Sequence, residues 1–170
     1  MNKFPRLVIL LAFLSILSIG AAKAPKTASA AAAAPPAMHV ALKPSAIQWG
    51  DAPPILPKGA KLAVLAGDPF KSEMFVVRLR MPNGYRIAPH WHPTRENVTV
   101  ISGTFHIAMG DKFDPSKGDT LPAGGFTFMD ARMNHYAWSD GATEVEITGM
   151  GPFQVNYVNP KDDPTRIAKK

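Results

Sequence analysis

The stretch "PHWHPTRE", residues 89–96, sets His90 and His92 two positions apart and Glu96 four positions after the second histidine. With only five histidines in the chain, this pair beside a carboxylate is either a metal site or a chance grouping on a polar loop. The run Tyr85–Trp91 reads as a strand, on which residues two apart share a face. Their Cα atoms then lie about 7 Å apart, close enough for two imidazoles to meet one ion at about 2.0–2.1 Å from each nitrogen. Trp91, between them, faces the other way. Pro93 and Thr94 suggest a break that lets Glu96 return on the next strand toward the same point. A His-x-His pair is a weak signal by itself; the glutamate and the flanking Gly84 and Gly103 strengthen it.

On either side of this stretch, short apolar or alternating runs are separated by Gly, Pro and Asp clusters, the pattern of strands and turns. Strands are expected at Ala46–Trp49, Leu62–Leu65, Met74–Arg80, Tyr85–Trp91, Val98–Ile101, Thr104–Met109, Thr127–Asp130, His135–Trp138, Glu144–Thr148 and Phe153–Val158. Roughly ten short strands at such spacing indicate an all-β sandwich or barrel. The segment "EMFVVRLRM" alternates best, with Phe75, Val77 and Leu79 on one face and Val76, Arg78 and Arg80 on the other. Four segments are expected: a leader over 1–30, a flexible Ala/Pro linker over 31–40, one β-barrel domain over 41–160, and a loosely held polar tail over 161–170. About 130 residues after the leader suffice for a single hydrophobic core.

With its glycines written out, the stretch runs from Gly84 through His90, His92 and Glu96 to Gly103 and closely resembles the first motif of the cupin superfamily. The second motif of that family supplies one more histidine, and "GFTFMDARMNH", following Gly124, ends at His135, eleven residues after that glycine. This second match is looser: Asp130, Arg132 and Ser139 stand where the family has proline, glycine and asparagine, which puts the local turn in doubt. The resemblance covers roughly residues 60–158 and implies a conical double-stranded β-helix (jelly-roll) barrel. It implies a metal in the barrel mouth on His90, His92, Glu96 and His135, and often a homodimer. Three imidazoles and a carboxylate suit a divalent transition metal such as Zn, Cu, Fe, Mn or Ni, its identity open. Cupins of this kind include dioxygenases, isomerases, decarboxylases and lyases as well as proteins that only hold a metal, so the fold does not choose among them.

Other residues invite weaker readings. His106 alternates with Phe105 and Ile107 and is expected to face outward; His39 is expected in solvent. Met74, Met81, Met109, Met129, Met133 and Met150 are better explained as core filling than as copper ligands. Asp130 is either a partner or base near His135 or an ordinary turn residue. Phe126, Phe128, Tyr136 and Trp138 are candidates to line a pocket, although aromatic residues on strands are more often plain core. Asn97-Val98-Thr99 fits a glycosylation sequon but overlaps the expected metal strand.

The N-terminus carries Lys3 and Arg6, then the apolar run "LVILLAFLSILSIG", then small residues. The run is shorter than the roughly 20 residues of a membrane span, so a secretory signal peptide is expected, cleaved after Ala22 or Ala30. No twin-arginine pair is present, which suits export of the unfolded chain and metal uptake outside the cytoplasm. The formal charge of +6 falls with the leader, whose four basic residues leave 15 basic against 13 acidic. Little then argues for a nucleic-acid partner, and no membrane association is expected after cleavage. Without cysteine the domain has neither disulfides nor thiolate chemistry.

Two functions compete. The preferred one is a periplasmic or secreted metal-dependent enzyme of oxygenase type acting on a small organic molecule. The alternative is a non-catalytic metal-binding or ligand-sensing module: "PHWHPTRE" and "VISGTF" are similar to the zinc-binding cupin domain of ChrR-type anti-sigma factors. Those regulators carry a helical domain that this chain lacks, so a sigma-factor partner is not expected.

Overall fold

The structure, a computed structural model, describes residues 39–167. The expected leader over 1–30 lies outside the described residues, as does the linker over 31–40 except for His39 and Val40.

Among the described residues there are nine antiparallel strands: β1 (Gly50–Asp51), β2 (Lys61–Ala66), β3 (Met74–Met81), β4 (Arg86–Trp91), β5 (Glu96–Met109), β6 (Asp119–Pro122), β7 (Phe126–Met129), β8 (His135–Met150) and β9 (Asn156–Tyr157). Two long strands organise the rest. β5 and β8 pair from Glu96–Gly149 to Met109–His135, and each runs through both halves of the curled sheet. The C-terminal half of β8 pairs with β3 and its N-terminal half with β4. Likewise β5 pairs first with β7 and later with β6.

This arrangement corrects the expected strand list. Val98–Ile101 and Thr104–Met109 are one strand, and so are His135–Trp138 and Glu144–Thr148. Gly103 and Asp140-Gly141 do not end strands; they bend them. The register of β5 on β8 shifts on both sides of Ser102, as in a β-bulge that turns a strand between sheet layers. Gly103 takes φ +79°, and a Cβ there would collide with the Ala142 carbonyl. The Thr143 hydroxyl fixes this corner by donating to the Thr104 carbonyl at 3.0 Å. β6 was not anticipated, because "DTLP" is short, polar and ends in proline. No strand forms at 46–49: Ala46 ends a 3-10 turn that begins at Pro44, and Ile47–Trp49 have no regular structure.

Alternation on β3 is as expected. Phe75, Val77 and Leu79 are buried and join Val98, Val100, Phe105, Ile107, Val145 and Ile147 in one core. Each such side chain contributes about 1.5–3 kcal/mol when fully buried. On the outer face, Arg78 bridges Glu144 and Glu146 at 3.0 Å each, and Arg80 reaches Glu144 at 2.8 Å. Toward the chain end a 3-10 turn at Pro160–Asp162 precedes one helical turn, α1 (Pro164–Ile167). Asn159 and Asp163 cap these turns by accepting from the Lys161 and Thr165 amides. Among the described residues no helix is long and apolar enough to cross a membrane.

Candidate metal centre

His90 sits near the end of β4, His92 just past it, and Glu96 and His135 open β5 and β8. Strict alternation would turn Ile87 and His90 to opposite faces, yet both line the same cavity. The cause is a bulge. Ile87 pairs with Ala137 and His90 with His135, so Ala88 and Pro89 together face the single residue Tyr136. Proline has no amide hydrogen to contribute to a ladder and is tolerated at such a site. The turn that brings Glu96 back is tied down by Thr94, whose hydroxyl donates to the Met150 carbonyl at 2.7 Å.

All four candidate residues are buried, and the structure brings them together. One ring nitrogen from each of His90, His92 and His135 lies within 4.8 Å of the others. Glu96 Oε2 is 3.4 Å from Nε2 of both His92 and His135. The Nδ1 atoms face backbone carbonyls: Ala88 O at 2.7 Å from His90, Gln154 O at 2.6 Å from His92, and Met133 O at 2.9 Å from His135. A carbonyl only accepts, so each Nδ1 carries a hydrogen, and in the neutral ring each Nε2 then presents its lone pair inward. That is the way neighbouring groups orient metal-bound imidazoles.

Burial, with His135 and His92 alongside, pushes the His90 imidazole down to about 3. Burial also depresses His92, but the facing Glu96 carboxylate outweighs it and holds His92 above its ordinary value. Burial raises the Glu96 carboxyl, yet His92 and His135 pull it well below the usual carboxylate range. Nε2 of His92 and of His135 are buried with no hydrogen-bond partner. Such orphaned polar atoms are costly, and a cation between them would satisfy both. The residues present therefore fit a divalent ion.

His90, His92 and Glu96 line one side of a cavity of about 480 Å³, within the usual range for small-molecule sites, and His135 lies behind them. Its walls are aliphatic, with Leu62, Val64, Val77, Leu79, Ile87 and Ile147 prominent. Ile55 and Leu56 close one side, in a loop that the Tyr85 and Tyr157 hydroxyls hold by donating to the Pro57 and Ile55 carbonyls. The last wall is the segment Phe153–Asn156.

Several sequence candidates lie elsewhere. Asp130 is exposed and bonded to Arg95 at 2.7 Å, so it is not the partner of His135, whose Nδ1 is taken by Met133 O. Phe126 and Phe128 are 57% and 48% exposed, and Tyr136 and Trp138 pack with Phe113 away from the cavity. None of these four aromatic residues lines the cavity, whose mostly aliphatic walls include Phe70 and Phe153 instead. His106 stacks on Trp138 at 4.8 Å and bonds Thr120, facing away from the site. Of the six methionines only Met81 and Met129 are core; Met74, Met109, Met133 and Met150 are exposed. Asn97 uses its amide to donate to the Thr148 carbonyl. Arg132, where the family pattern has glycine, keeps the left-handed turn at φ 65°, and its amide donates to the His92 carbonyl at 2.8 Å. Ser139, in place of asparagine, donates to the Pro82 carbonyl at 2.6 Å and accepts from the Tyr85 amide. Sequence reasoning missed the carbonyls of Ala88, Met133 and Gln154, because backbone acceptors leave no mark in residue types.

The family model of the ChrR cupin-like domain matches residues 37–154. No curated protein matches the chain in sequence. Among solved structures, a proposed acetylacetone dioxygenase of Methylibium petroleiphilum is similar at 19% identity and TM-score 0.59, covering 77% of this chain and 88% of its own. The polyketide cyclase RemF of Streptomyces resistomycificus is similar at 13% identity and TM-score 0.58, covering 78% and 94%. An RmlC-like cupin of Shewanella frigidimarina is similar at 20% identity and TM-score 0.53, covering 67% and 91%. At these identities the likeness is one of fold.

Proposed function

Because this chain belongs to the ChrR cupin-like domain family, we propose that it holds a divalent transition metal on His90, His92, Glu96 and His135 and uses it on a small organic molecule. The observation that carries this reading is the pair of orphaned Nε2 atoms of His92 and His135, buried beside an apolar cavity that His90, His92 and Glu96 line. A redox-active ion there would supply electron transfer to dioxygen, whereas zinc would only polarise a carbonyl or a water. The chain's own residues do the rest. Three backbone carbonyls hold the imidazoles in one tautomer, Glu96 offsets the ion's charge, and the aliphatic walls exclude water, which strengthens every charge interaction inside.

The cavity wall also bears on the type of chemistry. Among the described residues, none lining it other than His90, His92 and Glu96 is ionisable. A mechanism needing a general acid or base beyond the proposed ligands finds none in this lining, which suits chemistry centred on the metal itself. The same observation also supports a second reading, a non-catalytic metal-holding or ligand-sensing cupin. The basic start and short apolar run support a periplasmic or secreted address for either.

Metal analysis of protein purified from its native compartment, with an oxygen-uptake screen of diketones, flavonols and thiols on the same sample, tests the reading. Stoichiometric copper, iron or manganese with uptake on one substrate is expected. Stoichiometric zinc with no uptake favours the non-catalytic reading, and no bound metal of any kind overturns both. N-terminal sequencing tests the address: a start between residues 23 and 31 is expected, and an intact Met1 in the cytosol overturns it.

A further inference from the structure

The three imidazoles are not held alike. His90 and His135 donate to carbonyls two residues before themselves, Ala88 O and Met133 O. His92 donates to Gln154 O, 62 positions away. Its ring also stacks on Phe153, with centroids 4.1 Å apart and an interplanar angle of 15°. One histidine therefore takes both its hydrogen bond and its stacking partner from the segment 151–158, which is the same segment that walls the cavity through Phe153–Asn156.

That segment is a strap tied at its ends. At the start, the Gly151 amide donates to Glu73 O at 2.9 Å and the Phe153 amide to Pro69 O at 2.7 Å. A side chain at Gly151 would collide with the Lys71 carbonyl, so only glycine permits the approach. Farther along, Asn156 and Tyr157 pair with Trp91 and His90 on β4, and the Tyr157 hydroxyl donates to Ile55 O at 2.8 Å. Between the ties, Phe153 is half-buried, lining the cavity and stacking on His92.

We propose that Phe153 is a positioning residue for His92, through which an uncharged apolar molecule in the cavity strengthens the site's hold on its metal. The inference rests on the metal reading above and deepens it by naming a class of occupant. Among the described residues no lysine or arginine lines the cavity, so an anion would find no partner there except the ion itself, whereas hydrocarbon needs none. The walls favour an uncharged, largely hydrocarbon body. Such a molecule adds dispersion contacts to Phe153 and restricts the ring and the strap. His92 is then ordered before the ion arrives, so the ion gives up less on binding. Linkage makes the effect reciprocal, with metal raising the affinity for the apolar molecule by the same factor.

The test uses benzene, which has no donor atom and cannot itself ligate the ion. Zinc affinity of the full mature protein is measured by chelator competition with and without saturating benzene, whose entry is followed on the Leu79 and Ile147 methyl resonances. An increase of about fivefold or more is expected, and it should fall below about twofold in Phe153→Leu. Benzene that fails to enter, zinc affinity that it leaves unchanged, or an equal increase in F153L would each overturn the proposal. Metal-free protein labelled with nitrogen-15 at histidine gives a second readout that needs no variant. Benzene should move the ring nitrogens of His92 more than those of His90 and His135, and an equal or smaller movement of His92 also overturns it. Failure of the wild-type protein to bind zinc without benzene would sink the metal reading instead, and the nitrogen shifts keep the two failures apart.

Discussion

His90 and His135, far apart in the chain, are register partners on adjacent antiparallel strands, with ring centroids 4.2 Å apart. The bulge at Ala88-Pro89 sets this pairing, since one residue fewer on β4 would turn His90 to the outside. Each ring is then held by its own carbonyl, so the geometry is set before any ion binds.

Replacing His135 by alanine should cut zinc affinity by more than about 100-fold, since losing even a group that merely orients a ligand costs 10–100-fold. Chelator competition on the purified variant gives the number. Retention of wild-type affinity would remove His135 from the ligand set.

Metal uptake should release protons at pH 6.5. His92 is held above its ordinary value of 6.5 by Glu96, so in metal-free protein it is more than half protonated there, and the ion must displace that proton. Calorimetry in buffers of differing ionisation enthalpy should report between about half and one proton per ion. Uptake with no release would place His92 outside the ligand set.

The metal-free protein should also respond to acid through His90. Its folded value, near 3, lies below the ordinary 6.5. Its stabilising contribution is therefore complete above 6.5 and is lost as pH falls from 6.5 toward 3, because only the unfolded chain takes up the proton. The slope from this group approaches about 1.4 kcal/mol per pH unit. His92 acts oppositely: its contribution is complete below 6.5 and is lost as pH rises through its raised folded value. Urea midpoints compared between wild type and His90→Gln across pH 4–6.5 isolate the first effect; equal slopes would refute it.

Arg132→Gly should stabilise the protein by about 1 kcal/mol, the cost of left-handed backbone for a residue with a Cβ. The loss of the Arg132 guanidinium from over Trp91, 5.6 Å away, offsets part of this. Thermal unfolding should rise by about 2–4 °C, and a fall would show that the side chain contributes more than the backbone costs.

Asp130→Asn should leave zinc affinity within about twofold and stability within about 1 kcal/mol, as expected for an exposed ion pair. A large loss of affinity would restore the role near His135 that the Arg95 contact argues against.

The spacing of Gly84, His90, His92, Glu96 and Gly103 was readable from residue types alone, because ligand chemistry and tight turns each restrict a position to one or two kinds of side chain. So was the all-β class, since alternation such as that of Phe75, Val77 and Leu79 reflects one strand with one face in a core. Tertiary structure decided what depends on neighbours remote in sequence. Gly103 and Asp140-Gly141 look like strand ends but are bends, because β5 and β8 each find a partner on both sides of the corner. The pocket took its aliphatic walls from β2, β3, β4 and β8, while Phe126 and Phe128 fell on the outer face of β7. Asp130 found Arg95 rather than His135. The grip of Gln154 and Phe153 on His92 has no sequence signature at all, because a carbonyl is common to every residue and a stacked ring is recognisable only once the strap has been laid beside it.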